Sequence, residues 1–156
     1  MSQGYSRDTT KDDLEHLAAH MRKADRAEVK ATIGWEPLPA LKFALKHSEV
    51  CKTGLTHDGE PVMIYGVTPS PQEGLGSIWM LGTDNLTKVQ TTFLRQCRRE
   101  INEISRGYKA VYNFTDARNT LHHKWLKWCG FTFIRRVERY GVEQLPFYEF
   151  VKLIGA

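Results

Sequence analysis

The sequence predicts a single α+β domain over residues 1–156, built on a mixed, mostly antiparallel sheet with one parallel βαβ crossover. Three observations predict it. Apolar residues recur at helical spacing near the start (Leu14, Leu17, Ala18, Met21) and again along Val89, Phe93, Cys97, Ile101 and Ile104. From Val50 the pattern changes to short apolar runs bounded by turn residues, the signature of strands. The longer helix stands between two such runs, Ser77–Leu81 and Lys109–Phe114. A strand, a helix and a strand in that order make the two strands parallel neighbours.

Each element has its own signal. Thr10 with Asp13 forms a capping-box pattern ahead of the first helix. A second, shorter helix covers Leu38–His47, opened by Pro37 and Pro39. The runs Cys51–Thr56 and Pro61–Val67 flank His57-Asp58-Gly59-Glu60, where Asp-Gly signals a two-residue hairpin. A Pro/Gly-rich connection, 68–76, leads to Ser77–Leu81, giving a three-stranded meander. The long helix runs over 87–105, with Arg95, Arg98, Arg99 and Glu100 mostly off its apolar face, and Gly107 ends it. After the buried strand 109–114 comes a short helix over 119–128, stopped by Gly130. Strands 131–139 and 147–153 close the domain. The residues alone leave open whether Tyr5 begins a further strand.

Composition narrows the classes. The chain has 156 residues, 41% hydrophobic and 26% charged, which suits one folded domain and argues against disorder. No apolar run approaches the roughly 20 residues of a membrane span. The opening MSQGYSRDTTKDD is polar and is expected to be neither a signal peptide nor a myristoylation signal. Three cysteines with no CxxC pair predict neither disulfides nor a cysteine zinc site, and hence a reducing compartment. The net charge of +4 permits an acidic ligand without demanding nucleic acid. Trp79, Trp125 and Trp128 are expected in the core. Arg95, Arg98 and Arg99, then Arg135, Arg136 and Arg139, read as a solvated helix face and a charged sheet edge; a nucleic-acid contact is the less favoured alternative.

The crossover suggests where chemistry could sit. The C-terminal ends of two parallel strands and the start of the crossover helix form a crevice, with helix N–H groups that suit an anion. Here that turn is Gly82-Thr83-Asp84-Asn85-Leu86-Thr87-Lys88. Lys88 could supply charge and Thr83 or Thr87 a hydroxyl; the alternative is a plain helix capped by Thr87. The stretch Asn119-Thr120-Leu121-His122-His123-Lys124-Trp125-Leu126-Lys127-Trp128-Cys129-Gly130-Phe131 resembles the helix-to-strand signature of the GNAT superfamily of acyl-CoA N-acyltransferases. The order of elements agrees over about 50–153. More narrowly, Gly59-Glu60-Pro61-Val62, Trp79, Asn119-Thr120, His122, Leu126-Lys127, Gly130 and Phe133 are similar to internal virion protein A-like proteins of podophages.

The resemblance implies helices on both sheet faces and a first strand near Tyr5. It implies acetyl-CoA or another acyl-CoA between the strands ending at Leu81 and Phe114. The backbone of Met80, Leu81 and Gly82 would hold pantetheine and thioester, the helix start with Thr83, Thr87 and Lys88 the pyrophosphate, with Asn119 and Trp125 alongside. The implied activity is acyl transfer to an amine, on a bacterial host protein in the phage setting, located in the host cytoplasm or the virion. The alternative is a catalytically silent virion or host-takeover protein that binds a host protein. Two departures bear on this choice. Lys88 and Gln90 stand where the superfamily has phosphate-loop glycines, and Leu126 stands where a proton-donating Tyr is common. For a general base the candidates are Glu49, Asp84, Asp116 and His122; each also reads as a strand flank, a turn residue, a cap or a satisfied helix histidine. His122 and His123 are adjacent and point to different faces, so no metal is expected there.

Overall fold

The computed structural model describes residues 4–154, and its element order is β1 (Tyr5–Asp8), α1 (Lys11–His20), α2 (Lys23–Ile33), α3 (Pro37–His47), β2 (Val50–Leu55), β3 (Pro61–Pro69), β4 (Leu75–Gly82), α4 (Gln90–Ile104), β5 (Ala110–Asp116), α5 (Thr120–Trp128), β6 (Thr132–Tyr140) and β7 (Leu145–Leu153). The seven strands form one sheet in the order β1-β2-β3-β4-β5-β7-β6. Only β4 and β5 run parallel; every other neighbouring pair is antiparallel. The α+β class and its single crossover are therefore as the sequence reads.

Local chemistry explains the boundaries. Thr10 and Asp13 close a reciprocal capping box at α1, and Asp13 also holds Arg7 of β1 and the Thr53 hydroxyl of β2. One buried carboxylate thus ties the first helix to the first two strands. Pro37 opens α3, where a missing N–H costs nothing. The β2–β3 hairpin differs from expectation. Thr56 N–H donates to Glu60 O, and Gly59 N–H to Thr56 O at φ 88°. Three residues, not two, make the turn, with Gly59 in the left-handed position that such loops require. The long helix also begins later than expected, because Asp84–Val89 winds as a 3-10 turn capped by the Thr83 hydroxyl.

Two apolar clusters flank the sheet. Leu14, Leu17, Val29, Leu41, Ile64 and Leu81 pack α1–α3 on one face. Val62, Val67, Ile78, Val111, Trp125 and Phe150 pack α4 and α5 on the other. The alternation of Ile64 with Met63 and Tyr65, and of Leu81 with Met80, follows the two-residue strand period. Trp128 departs from the core expectation: it is exposed, on the outward face of α5, and its indole N–H donates to Leu94 O at 2.7 Å.

Helix α2 is the element for which the sequence gives no expectation. It carries no strong apolar stripe, and its position comes from tertiary contacts. Val142 and Glu143 N–H, in the β6–β7 turn, donate to Thr32 O and Ala31 O at the end of α2. Gly141 makes that approach possible. It sits at φ 71°, and a Cβ there would lie 2.3 Å from Ala31 O.

Cys97 of α4 and Cys129 beyond α5 are joined by a disulfide, with their Cα atoms 5.8 Å apart. This corrects the expectation of free thiols. An odd cysteine count allows one pair and one leftover, and Cys51 is the leftover. The pairing depends on α4 and α5 lying side by side, which spacing does not reveal. With the two cysteines 32 positions apart, reduction is expected to lower stability by up to about 4 kcal/mol on loop-entropy grounds. Thermal unfolding with and without a reductant measures it; an unchanged midpoint would show that the link contributes nothing.

Candidate active site

Strands β4 and β5 pair only over Leu75–Ser77 and Ala110–Tyr112, and then part. Two side chains answer the separated edge. Asn113 of β5 donates its Nδ2 to Ile78 O at 2.7 Å. Asp25 of α2 accepts from Gly82 N at 2.9 Å, and Gly82 O accepts from Arg22 N at 2.8 Å. Peptide groups alternate in direction along a strand, so the Met80 peptide faces the same opening between these two. Among the described residues no side chain answers it.

Polar groups are concentrated where α2 meets the end of β5 and the start of α5. The Asp25 carboxylate also accepts from Arg22 at 3.0 Å and from Asn119 Nδ2 at 3.0 Å. One helical turn on, Glu28 accepts from Asp116 N at 2.8 Å, from the Thr115 hydroxyl at 3.1 Å and from Asn119 Nδ2 at 3.4 Å. Burial, and then the Asp25 charge, push the Glu28 carboxyl up to about 8 despite these donors. Burial likewise pushes His122 down to about 4, leaving a neutral ring at neutral pH. Its Nδ1 and the Asn119 Oδ1 are buried without a partner, which a closed structural network avoids. Asp116 is engaged differently. Burial raises its carboxyl, but the Arg118 guanidinium and N–H outweigh that and hold it below its ordinary value.

A cavity of about 250 Å³ runs through the opening from one sheet face to the other. Glu28, Val29 and Ala44 line it on the α2–α3 side, and Phe93, Cys97 and Trp125 on the α4–α5 side. Its titratable lining includes Glu28 and His122, and on the α4 side Tyr65 and Glu100, which are hydrogen-bonded to each other. Chemically this is an apolar passage with one carboxyl able to exchange a proton near neutrality and one strand N–H facing it. Those are the parts a proton-coupled attack on a carbonyl needs.

The sequence-derived residues are distributed unevenly around it. Met80, Leu81, His122 and Trp125 line the cavity, and Asn119 stands in the polar cluster beside it. Arg22 lies 5.7 Å above the Trp125 ring. Gly82 and Thr83 are buried at the end of β4, with Gly82 engaged as described and Thr83 capping the 3-10 turn. Asp84, Thr87 and Lys88 are exposed on that turn. Glu49 is not brought to the crevice: it is exposed at the start of β2, hydrogen-bonded to the Tyr108 hydroxyl, at the opposite end of the parallel strands. Leu126, at the position of the superfamily's tyrosine, is buried in the core.

Sequence reasoning missed Asp25 and Glu28. A signal existed. Asp25, Glu28, Val29 and Thr32 fall at i, i+3, i+4 and i+7, so an acidic pair shares a face with an apolar residue. Of the six arginines in the two basic clusters, Arg98 bonds Trp128 O, Arg135 pairs with Glu149 and Arg136 with Glu138.

Sequence comparison matches no family model and no curated protein. Comparison of structures gives a clear result. The chain superposes on a GCN5-related N-acetyltransferase from Kribbella flavida with a TM-score of 0.70 and 15% identity, covering 97% of this chain and 98% of that one. Spermidine N-acetyltransferase from Vibrio cholerae, solved with CoA and spermine, gives 0.69 and 13% over 97% and 95%. An aminoglycoside acetyltransferase in complex with coenzyme A gives 0.70 and 12% over the same shares, 97% and 95%. The fold is that of the GNAT acetyltransferases, with the two faces of the sheet covered as the resemblance implied.

Proposed function

We propose that this chain is an acyl-CoA-dependent N-acyltransferase in which Glu28 is the general base. The carrying observation is a carboxyl raised to about 8 on the wall of a cavity that passes between the parted parallel strands. The parts of this chain fit the donor's pantetheine arm well. The passage is apolar, the Met80 peptide faces it, and the unpartnered His122 Nδ1 lies at its side. The diphosphate end fits less closely. The Asn85 and Leu86 N–H groups already bond to Thr83 within the 3-10 turn, so Thr87 and Lys88 at the turn surface take the place of a glycine nest. Acetyl-CoA supplies the activated acyl group.

The residues then divide the work. The Met80 N–H points at the edge where carbonyl oxygen gains negative charge, the position at which a fixed donor lowers the barrier most. Glu28, when ionised, takes the proton that the amine sheds as its nitrogen bonds the acyl carbon and the carbon–sulfur bond breaks. With Leu126 unable to donate, the leaving thiolate draws its proton from water. Asp25 and Asn119 hold Glu28 in place and set its basicity.

A second reading has its own support. Asp25 occupies the Gly82 N–H, which closes one end of the opened β4 edge, and Leu126 replaces the common tyrosine. A GNAT-fold protein that binds a host protein without catalysis agrees with both features. We extend either reading, on the motif resemblance alone, to an infected bacterial cell, with a host amine as acceptor or a host protein as partner. Calorimetric titration with acetyl-CoA and CoA separates them. Micromolar binding, lost in Met80→Pro and weakened in Lys88→Glu, is the expected result. No binding at millimolar acetyl-CoA would leave only the second reading.

A further inference from the structure

The acceptor side of the cavity has a chemistry of its own, and it restricts the amine. On the α2–α3 face the walls are Val29, Ile33, Ala40, Ala44, Trp79 and Leu81, with Thr32, whose hydroxyl is spent on Glu28 O. Ala40 and Ala44 are one turn apart on α3, so two small side chains face the same side and leave the volume between helix and sheet. Glu28 lies at the inner end. The other buried acids nearby are committed elsewhere, Asp25 to Gly82, Arg22 and Asn119, and Asp116 to Arg118.

Outside the chamber the apolar surface continues. Trp35 and Phe43 are exposed, with ring centroids 5.5 Å apart in an edge-to-face pair. Val142, also exposed, approaches Gly34, the residue before Trp35, from the β6–β7 turn, within 3.4 Å of where a Cβ on Gly34 would stand. Helix α3 itself contains no acidic residue and carries Lys42 and Lys46 exposed, with Lys30 exposed on α2; the exposed acids here are Glu36, which precedes α3, and Glu143, beside Val142.

From this we infer that the acceptor is a small primary amine on an aromatic or alkyl body with no second cation; the inference rests on the acyltransferase reading above. The single carboxyl at the inner end serves one nitrogen. A second ammonium would be taken from water into apolar walls without a counter-ion, which is strongly unfavourable. At the mouth the exposed Lys30, Lys42 and Lys46 offset the exposed Glu36 and Glu143, leaving no acidic patch for a polycation, while the aromatic pair adds contact area for an apolar body.

The test compares phenethylamine and hexylamine with spermidine, by calorimetric binding with and without CoA, and by thiol release and product mass with acetyl-CoA. Phenethylamine is expected to bind and react at least roughly tenfold better than spermidine. Ala44→Leu, which fills the chamber, is expected to remove that advantage. Ile33→Asn, at a partly exposed wall position, does the same with less risk to folding, and thermal unfolding confirms that both variants are folded. Equal or better use of spermidine, or phenethylamine binding indifferent to both substitutions, overturns the inference. So does acylation confined to peptide or protein amines with phenethylamine unbound. If phenethylamine binds as described but receives no acyl group, the acyltransferase reading fails and the chamber stands. If acetyl-CoA is used and spermidine is the better acceptor, the reverse holds.

Discussion

Glu28→Gln is expected to lower kcat/KM for amine acylation by roughly 10²–10⁴-fold, the usual contribution of a positioned general base. Glutamine keeps the shape and can still accept from Asp116 N and Thr115, so a large loss reports chemistry and not collapse. The pH profile carries a second signature. Because the Glu28 carboxyl is raised to about 8, the wild-type rate is expected to climb as pH rises through that value and the base form accumulates. In Glu28→Gln that limb disappears. Stability runs the other way. The folded state holds the Glu28 proton more tightly than the unfolded chain, so its contribution is full below about 4.5 and is lost as pH rises through about 8. Glu28→Gln should remove this decline, which thermal unfolding from pH 5 to 9 would reveal. A variant with undiminished transfer sinks Glu28 as the base.

Asp25→Ala is expected to cost about 3–5 kcal/mol of stability, the range found when one partner of a buried charged pair is removed. The loss is large because two donors are stranded together, Gly82 N and the Arg22 guanidinium, and Asn119 Nδ2 keeps only its longer bond to Glu28. Asp25→Asn separates the charge from the contacts. The Asp25 charge is the second cause, after burial, of the raised Glu28 carboxyl. Removing it should shift the rising limb of the pH profile to lower pH while much of the fold stability remains. Chemical denaturation of both variants beside their rate profiles measures the two effects. A limb unmoved in folded Asp25→Asn would mean that Glu28 does not set it.

These two residues also mark the limit of what could be read from the chain. The helices and strands from residue 50 onward were legible because each buries a face whose period is local: Ile78 and Met80, Val89 to Ile104, and Asn119 to Gly130. The capping box at Thr10 was legible for the same reason, since it spans four residues. Helix α2 was not, because its place depends on carbonyls met by a turn over 100 residues later. The Cys97–Cys129 link is of that kind as well.

The sequence by itself determined the α+β class, the parallel crossover, and the crevice where β4 and β5 part, all consequences of periodicity and chain order. Only the tertiary structure decided which groups stand in that crevice. It removed Glu49 to the far end of the strands, left Asp84 on an exposed turn, and brought Glu28 from α2 against Thr115 and Asp116. The physical reason is that a carboxyl's basicity depends on burial and on the charges around it, and those come from segments far apart in the chain.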